Sequence, residues 1–315
     1  MDPFSQALPF CPFHIEGKRA SVLFMHQNRE NVDEIVFFIY DETSYIDQGE
    51  ERRMQFWIHP NPTSAEAGAL AEALRERLGE QAAERPEDAN IIAVLGGDGT
   101  LLRAVRMLNA VNKPYWLVNC GHLGYLSDCE KNDAFPALEK ILQSEFQLEY
   151  RAQIGGMLEN GRRISALNEL LFHRGACVHT LQISVEVNGS LALRYRGDGL
   201  IVCTPSGSTA YNLSAGGPVL MPEMELLTLT PICAQSLSAV PIVVSSHDRI
   251  TISWRMGSRE NQDEWPDLTA DGQEKLLLPL EGSLTIGELP PVVLVRTQDA
   301  DFYGRLQYRM HWNAE

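Results

Sequence analysis

Apolar runs and helix-like stretches alternate through the first half of the chain. Three short runs are almost wholly apolar, as is typical of strands buried on both faces, and three stretches carry apolar residues at helical spacing. Ser64 provides a cap for the first of these helices. The alternation predicts a parallel sheet covered by helices. The predicted strands are 54–58, 91–95 and 115–118, and the predicted helices are 64–78, 100–110 and 135–142.

After about residue 148 the pattern changes to the period of two that is typical of half-buried strands. Asn188-Gly189 separates the first two of these runs and is a strong hairpin signal. Residues 255–275 are polar and acidic, and we predict a surface loop there. The second half is therefore predicted to be mostly β, with long glycine-rich loops. Its predicted strands are 181–187, 191–195, 200–203, 242–244, 250–254 and 276–280.

The first 50 residues differ from both halves. Two strand-like runs, 20–25 and 35–40, are joined by the polar stretch 26–34, which suits a hairpin with a long turn. We therefore treat residues 1–50 as an atypical, strand-like N-terminal extension.

Composition and charge limit the classes of partner. A chain of 315 residues can bury a full core and favours two domains. The formal net charge of −16 argues against nucleic acid and anionic membranes, because neither would attract this chain over long range. No apolar run approaches the roughly 18 residues of a membrane span, and the first residues lack the features of a signal peptide. We expect a cytoplasmic protein that binds neither nucleic acid nor membrane.

The cysteines and histidines give no sign of a metal centre. The six cysteines include no Cys-x-x-Cys pair, and most of them stand beside apolar residues, which favours reduced thiols in the core. The eight histidines include no His-x-x-x-His pair. A dedicated zinc site is therefore not expected, and we assign no residue as a metal ligand.

A glycine-rich turn follows the predicted strand 91–95 and leads into the next predicted helix. Glycines let backbone N–H groups approach an anion, and the start of a helix adds the positive end of its dipole, so this arrangement forms a phosphate site. Asp98 would repel a bare phosphate and belongs there only if a hydroxyl or a metal ion lies between them. The turn is therefore kinase-like. Its sequence is Gly96-Gly97-Asp98-Gly99-Thr100-Leu101.

A second loop rich in small residues follows the predicted strand 200–203. Small residues and hydroxyls at this density let a flat ligand lie against the backbone, held by short donors and acceptors. For such a stretch taken alone, a tight turn between strands is the plainer interpretation. The loop contains Thr204-Pro205-Ser206-Gly207-Ser208-Thr209-Ala210-Tyr211 and, further on, Leu213-Ser214-Ala215-Gly216-Gly217-Pro218.

The two loops belong to a larger ordered set of motifs. The set consists of Gly96-Gly97-Asp98-Gly99-Thr100, Asn119-x-Gly121-x-Leu123-Gly124-Tyr125-Leu126, Leu167-Asn168-Glu169, Arg196-Gly197-Asp198-Gly199, the loop from Thr204 to Tyr211, and Thr230-Pro231-Ile232-Cys233 with Ser236-Leu237-Ser238. The set resembles the NAD kinase family, from about Met54 to Trp312. The glycine turn alone is weak evidence, since lipid kinases and phosphofructokinases carry similar turns, whereas the ordered set is specific.

The resemblance implies ATP-dependent phosphorylation of the adenosine ribose 2′-hydroxyl of NAD to give NADP, with Mg²⁺ or another divalent cation accompanying ATP. It implies an α/β N-terminal domain with a parallel sheet and helices, a β-rich C-terminal domain, and a C-terminal segment that returns to the first domain. We assign residues 51–147, completed by about 295–315, to the α/β domain and residues 148–294 to the dinucleotide-binding domain. A homodimer or homotetramer is also implied, because subunits of family members contribute to each other's sites.

The resemblance also assigns roles to single positions. Asp98 matches the proposed proton acceptor of the family, and Gly99 and Arg103 lie beside the phosphates. Plainer interpretations exist for some positions: Asp98 as a helix cap, Arg103 as a solvated helix residue, and His179 as a surface residue. The positions that match dinucleotide contacts are Asn168, Glu169, His179, Arg196, Asp198, Thr209, Ala210, Tyr211, Ser214 and Gln273.

Two other functions compete with an NAD kinase. A lipid or sphingoid-base kinase shares the glycine turn but does not need the loop 204–211. A non-catalytic dinucleotide sensor would keep the binding residues but has no need for Asp98. Because both features are present, we predict that the chain is an enzyme and an NAD kinase.

Overall fold

The computed structural model describes residues 54–108, 112–121, 124–158, 160–176, 179–257, 265–298 and 301–310, together with the backbone of three short strands before residue 40. The chain forms two compact units, Met1–Arg52 and Arg53–Glu315.

The described strands of the first unit form a three-stranded antiparallel sheet. They are β1 (Phe13–Ile15), β2 (Lys18–Val22) and β3 (Phe37–Ile39), paired in that order. β2 and β3 overlap the runs predicted at 20–25 and 35–40, and their antiparallel pairing confirms the predicted hairpin. The polar stretch 26–34 between them lies outside the described residues.

The second unit begins with alternating strands and helices, as predicted. Neighbouring strands of this part pair in parallel, in the order β4, β5, β6 and β7. Ser64 accepts a hydrogen bond from the backbone N–H of Ala67 (3.2 Å), so the predicted cap of the first helix is confirmed. The elements are β4 (Phe56–Pro60), α1 (Ala65–Leu78), β5 (Ile91–Leu95), α2 (Asp98–Leu108), β6 (Tyr115–Asn119), β7 (Cys129–Glu130) and α3 (Ala134–Leu142).

The rest of the second unit is mostly β. Its strands are β8 (Gln147–Met157), β9 (Arg163–Ala166), β10 (Glu169–His173), β11 (Leu181–Val187), β12 (Ser190–Gly197), β13 (Gly199–Cys203), β14 (Leu226–Ile232), β15 (Ile242–Ser245), β16 (Ile250–Met256), β17 (Asp267–Ala270), β18 (Glu274–Leu277) and β19 (Glu281–Arg296). Its helices are the short α4 (Tyr211–Ser214) and α5 (Phe302–Met310).

These strands form two sheets. A six-stranded antiparallel sheet has the order β15-β14-β13-β10-β17-β18. A ten-stranded sheet has the order β12-β11-β16-β19-β6-β5-β4, with β7, β8 and β9 paired beside that path. The hairpin predicted at Asn188-Gly189 joins β11 to β12, and both residues have the positive φ (52° and 81°) that the tight turn requires.

The long strand β19 joins the α/β part to the β-rich part. Its first residues pair antiparallel with β16, while Leu294 pairs in parallel with Tyr115 of β6. The same strand pairs antiparallel with β8 along most of its length. The parallel sheet of the first half therefore continues without interruption into the β-rich half.

Three clusters of buried side chains make up most of the core of the second unit. The alternate residues of β5 pack on opposite faces: Ile91, Ala93 and Leu95 contact the cluster under α1 and α3, whereas Ile92 and Val94 contact the cluster under α2. Burial on both faces explains why this strand is a continuous apolar run. The third cluster lies between the two large sheets and draws residues from both.

One prediction about residues 255–275 was wrong. The stretch was expected to be a surface loop, but Asp267–Ala270 forms strand β17, which pairs with β10 on one side and β18 on the other. Leu268 and Ala270 are fully buried there. A four-residue strand is too short to show a period in the sequence, and pairing with distant residues made it a strand.

The turn between β15 and β16 predicts a pH-dependent contribution to stability. The His247 ring bonds Glu288 through Nδ1 (3.1 Å) and Glu225 through Nε2 (3.2 Å). Partial burial lowers the pKa of His247, but the two carboxylates outweigh burial, and the pKa lies above its ordinary value.

The contribution of His247 should therefore be complete below about pH 6.5 and disappear as the pH rises through the raised pKa. His247→Gln should lower the melting temperature at pH 6 more than at pH 8.5. Because the side chain is 43% exposed, we expect a loss below about 1 kcal/mol at pH 6. Thermal unfolding at both pH values tests this expectation, and an equal loss at both would contradict it.

Candidate active site

The glycine turn lies where β5 ends and α2 begins, at the carboxyl edge of the parallel strands. A Cβ atom on Gly96 would lie 2.3 Å from Oγ1 of Thr100, so the close approach of the helix requires glycine there. Asp98 is the first residue of α2 and is partly exposed, and Gly99 is exposed. The turn thus presents a helix N-terminus and a carboxylate at the same edge of the sheet.

The Asp98 carboxylate is held by the loop after β6 and not by its own helix. Oδ2 accepts a hydrogen bond from the backbone N–H of Tyr125 (2.8 Å), and Oδ1 accepts one from Leu126 (3.1 Å). A Cβ atom on Gly124 would lie 2.1 Å from Oδ1, so the carboxylate occupies the space that a side chain would need. These bonds from a distant loop set the orientation of the carboxylate, which a helix cap alone would not do.

Gln273 ties the glycine turn to the β-rich half. Its Nε2 donates to the carbonyl oxygen of Gly99 (2.8 Å), and its Oε1 accepts from a guanidinium nitrogen of Arg106 (3.0 Å). Gln273 belongs to the turn between β17 and β18, and Arg106 lies on α2. The predicted late contact therefore lies beside the glycine turn.

Arg103 extends from α2 and is exposed. It is close enough to His59, at the end of β4, to act on that imidazole: partial burial lowers the pKa of His59, and the Arg103 charge lowers it further. His59 in turn stacks on Trp57, with ring centroids 5.3 Å apart. The positive charge of Arg103 is thus exposed one turn into the helix, at the same edge as Asp98.

Asn168 and Glu169 are fixed between two other segments. The Asp271 carboxylate accepts the backbone N–H groups of Leu167 (3.1 Å), Asn168 (2.7 Å) and Glu169 (3.3 Å). On the other side, a Cβ atom on Gly207 would lie 2.3 Å from the carbonyl oxygen of Asn168. The second glycine loop therefore packs directly on the Asn-Glu pair.

Glu169 has an unusual environment for a carboxyl group. Its side chain is buried, and among the described residues its Oε2 has no hydrogen-bond partner. Burial, together with the nearby Asp271, raises the pKa of Glu169 to about 7. Burial also raises the pKa of Asp271, although its backbone donors oppose the shift. A carboxyl in this state can exchange hydrogen bonds with a ligand hydroxyl near neutral pH.

Buried hydroxyl and amide groups hold the shape of the second glycine loop. Thr204 donates from Oγ1 to the carbonyl oxygen of Leu167 (2.5 Å). Asn212, fully buried, accepts from the hydroxyls of Thr228 (3.0 Å) and Thr230 (2.6 Å). The predicted ligand residues of this loop stay accessible, because Thr209 and Ala210 are half-buried and Tyr211 and Ser214 are exposed.

The structure does not bring all predicted contacts together within one chain. Glu169 lies at one end of β10, whereas Asp198 forms an ion pair with Arg174 (2.8 Å) just past the other end. The strand takes four residue steps from Glu169 to His173, or about 13 Å. Arg196, exposed on β12, and half-buried His179, just before β11, belong to the Asp198 end. The predicted site thus divides into two groups.

Several residues that shape the site were missed by sequence reasoning. Asp271 had a readable signal, because Asp271-Gly272 is a hairpin dipeptide and both residues have positive φ (51° and 64°). Asn212 acts only through contacts with distant segments, so no local pattern indicates it, whereas Gly124 belongs to the ordered motif set and only its contact with Asp98 explains its role.

Within the described ranges, no group of three or more His, Cys, Asp or Glu side chains could hold a metal ion. No helix among the described residues is long and apolar enough to cross a membrane.

Two family models match the chain. The ATP-NAD kinase N-terminal domain matches residues 21–146, and the ATP-NAD kinase C-terminal domain matches residues 167–288. The first match begins inside the N-terminal extension, further toward the N-terminus than the resemblance found from Met54 onward.

Curated relatives resemble the chain over most of its length. It is 33% identical over 251 residues to the NAD kinase of Citrifermentans bemidjiense, and the aligned region covers 77% of this chain and 86% of that protein. It is 35% identical over 229 residues to the NAD kinase of Lachnoclostridium phytofermentans, which covers 70% and 80% of the two chains.

Solved structures share the fold. A yeast NADH kinase complexed with NADH superposes with a TM-score of 0.74 at 21% identity, covering 84% of this chain and 89% of that chain. An NAD kinase from Archaeoglobus fulgidus in complex with ATP superposes with a TM-score of 0.68 at 25% identity, covering 81% and 99%. The predicted arrangement of an α/β domain and a β-rich domain is therefore confirmed.

The buried carboxyl of Glu169 predicts a pH-dependent loss of stability. The pKa of Glu169 is about 7 in the folded state and about 4.5 in the unfolded state. Between these pH values the folded state keeps a proton that the unfolded state has released, so the free energy of unfolding falls as the pH rises. Glu169→Gln removes this cost and should raise the unfolding free energy at pH 8 by about 1–3 kcal/mol. The gain should shrink toward pH 5.

Thermal or urea unfolding without ligand at pH 5 and pH 8 measures this difference. Glu186→Gln is the matched control, because Glu186 is exposed on β11. The interpretation is wrong if Glu169→Gln is no more stable than wild type at pH 8.

Proposed function

This chain belongs to the NAD kinase family and is an enzyme that phosphorylates NAD, and we propose that Asp98 orients the accepting hydroxyl. The reaction transfers the γ-phosphoryl group of ATP to the 2′-hydroxyl of the adenosine ribose, which releases ADP and gives NADP. One observation carries the proposal: the turn from Asp271 to Gln273 holds the Asn-Glu pair at one end and the glycine turn at the other. This connection supports the assignment of Asn168, Glu169 and Asp98 to one site.

The chemistry requires an oriented hydroxyl more than a strong base. The transition state of phosphoryl transfer is loose, so the alcohol proton leaves late and positioning carries most of the catalysis. The two backbone N–H bonds hold the Asp98 carboxylate in a single orientation. Asp98 is thus suited to align the hydroxyl and to take its proton as the phosphoryl group arrives.

The start of α2 is the part of the site that would bind the triphosphate. The free N–H groups and the dipole of this helix favour anions, and Arg103 adds a positive charge one turn further on. Gly99, exposed in the same turn, leaves the backbone open to a phosphate. These groups balance the negative charge of the transferred oxygens.

A divalent cation fits this site as a partner of ATP. Mg²⁺ is usually held by one or two carboxylates together with substrate phosphates, and the described residues build no cage of their own for it. Asp98 is the carboxylate in the turn that would share the cation with the triphosphate. When bound, the cation would neutralise charge on the phosphoryl oxygens.

The dinucleotide is assigned to the surface between the glycine turn and the second glycine loop. Glu169, through its unpartnered oxygen, and Asn168 would accept hydrogen bonds from ribose hydroxyl or amide groups of the ligand. The accessible residues of the second loop would contact the adenine and its ribose, and Gln273 would border the phosphates. The residues proposed for the second loop are Thr209, Ala210, Tyr211 and Ser214.

The division of the predicted contacts supports an oligomer. Asp198, Arg196 and His179 lie about 13 Å along β10 from the Glu169 end of the site. We propose a homodimer or homotetramer in which these three residues complete the site of a neighbouring subunit. No observation favours a lipid kinase or a non-catalytic sensor.

Asp98→Asn should lower kcat by about 10²–10⁴-fold, because it removes the charge that aligns and deprotonates the hydroxyl. The change keeps the size of the side chain, so NAD affinity should stay close to that of wild type. NADP formed from NAD and Mg·ATP, followed with an NADP-specific dehydrogenase, gives the rate. Asp133→Asn, at an exposed residue whose side chain caps nothing, is the control. Full turnover by Asp98→Asn would remove Asp98 from the mechanism.

Sharing of sites between subunits predicts complementation. Arg196→Ala and Asp98→Asn chains should each be nearly inactive alone. Co-expressed dimers should recover about one quarter of wild-type activity, since about half are mixed and each mixed dimer keeps one complete site of two. If the mixture is no more active than its components, then Arg196 does not act across subunits.

A further inference from the structure

The last described helix, α5, reaches the loop that holds Asp98. One nitrogen of the Arg305 guanidinium, Nη1, donates to the carbonyl oxygens of Tyr125 (3.0 Å) and Ser127 (2.7 Å). Those carbonyls lie 180 and 178 residues away in sequence, on either side of Leu126, which is one of the two residues whose N–H groups bond Asp98. A residue far from the glycine turn in sequence is thus in direct contact with the loop that bonds the Asp98 carboxylate.

Arg305 and Asp98 bond opposite ends of the same peptide group. The carbonyl of Tyr125 and the N–H of Leu126 belong to one planar unit. Arg305 donates to that carbonyl, and that N–H donates to Oδ1 of Asp98 (3.1 Å). A cation at the carbonyl end polarises the peptide and strengthens the bond at its N–H end. The guanidinium therefore acts on the carboxylate through a single peptide.

A second arginine bonds the carbonyl of Leu126, which lies between the two carbonyls that Arg305 bonds. Arg296, at the end of β19, donates from Nη1 to the carbonyl oxygen of Leu126 (2.9 Å). Its Nε forms an ion pair with Glu149, which also pairs with Arg151 (2.5 Å). Three consecutive carbonyls, 125 to 127, are thus bound by two guanidinium groups. The turn has little freedom to move away from Asp98.

The electrostatic surroundings of Arg305 agree with this arrangement. Burial lowers the pKa of Arg305, and the neighbouring Arg296 lowers it further. The charge of Asp98 opposes these effects, together with those of Glu149 and Asp128. Arg305 is therefore within electrostatic reach of the Asp98 carboxylate as well as bonded to its peptide.

We propose that Arg305 is a positioning residue that fixes the orientation of the Asp98 carboxylate through the Tyr125–Leu126 peptide. The proposal rests on the function assigned to Asp98 above. It makes α5 part of the apparatus that orients the accepting hydroxyl. A purely structural role would tie α5 to the loop without any specific effect on the step in which Asp98 acts.

Steady-state kinetics of Arg305→Ala and Arg305→Lys test the proposal. Arg305→Ala should lower kcat by about 10- to 100-fold, with the KM values for NAD and ATP within about threefold of wild type. Arg305→Lys keeps a cationic donor and should recover a large part of the loss. Tyr308→Ala is the control, because Tyr308 is exposed on the same helix. Wild-type kcat in Arg305→Ala would overturn the proposal.

A double-mutant cycle separates positioning from structure. If Arg305 acts through Asp98, then adding Arg305→Ala to Asp98→Asn should lower the residual kcat by less than about twofold. If the added change costs as much as it does in wild type, then Arg305 acts independently of Asp98 and the proposal is wrong. Residual rates are measured at high enzyme concentration, and the NADP formed is quantified by mass spectrometry.

Three further outcomes are distinguishable. If Arg305→Ala does not fold, folded Arg305→Lys and Arg305→Gln are compared instead. The uncharged Arg305→Gln should then have the much lower kcat of the two. If Asp98→Asn keeps full turnover while wild type makes NADP, then the role of Asp98 fails and the proposal fails with it. If Asp98→Asn is impaired and Arg305→Ala is not, only the present proposal fails.

Discussion

The position of one carboxylate, that of Asp98, constrains the rest of the site. A carboxylate at a helix N-terminus competes with any phosphate that the helix attracts, so its orientation must be set by other groups. Here the N–H groups of Tyr125 and Leu126 set it, and Gly124 leaves the space that the carboxylate fills. The helix N-terminus therefore stays available for an anion, and the role proposed for the acid is to orient an acceptor hydroxyl.

A second carboxylate, that of Asp271, brings Asn168 and Glu169 close to the glycine turn. It accepts three backbone N–H groups around Asn168, and the same turn presents Gln273 to Gly99. With Asp271 held in this way, the neighbouring Glu169 is left buried with one oxygen unpartnered. The two carboxyls thus have different functions: Asp271 is satisfied by the fold, and Glu169 retains a bonding capacity that a ligand can use.

The continuity of the large sheet explains how distant segments meet at this site. Strand β19 pairs with β16 and β8 in the β-rich half and with β6 in the α/β half, so one strand fixes both halves in register. It also ends at Arg296, which bonds the loop behind Asp98, and α5 follows with Arg305. The part of the fold that joins the two halves thus also supports the loop that bonds the Asp98 carboxylate.

The sequence by itself determined the local elements and the chemistry: the buried strand 91–95, the cap at Ser64, the Asn188-Gly189 hairpin, and the glycine turn with its acid. Each of these depends on a period or on backbone freedom that a few neighbouring residues express. Only the tertiary structure decided that Asp267–Ala270 is a strand, that Asp271 bonds the backbone around Asn168, that Arg305 bonds the loop behind Asp98, and that Asp198 lies away from Glu169. These features depend on hydrogen bonds between residues about 100 or more positions apart, or on strand register, and no local period records such contacts.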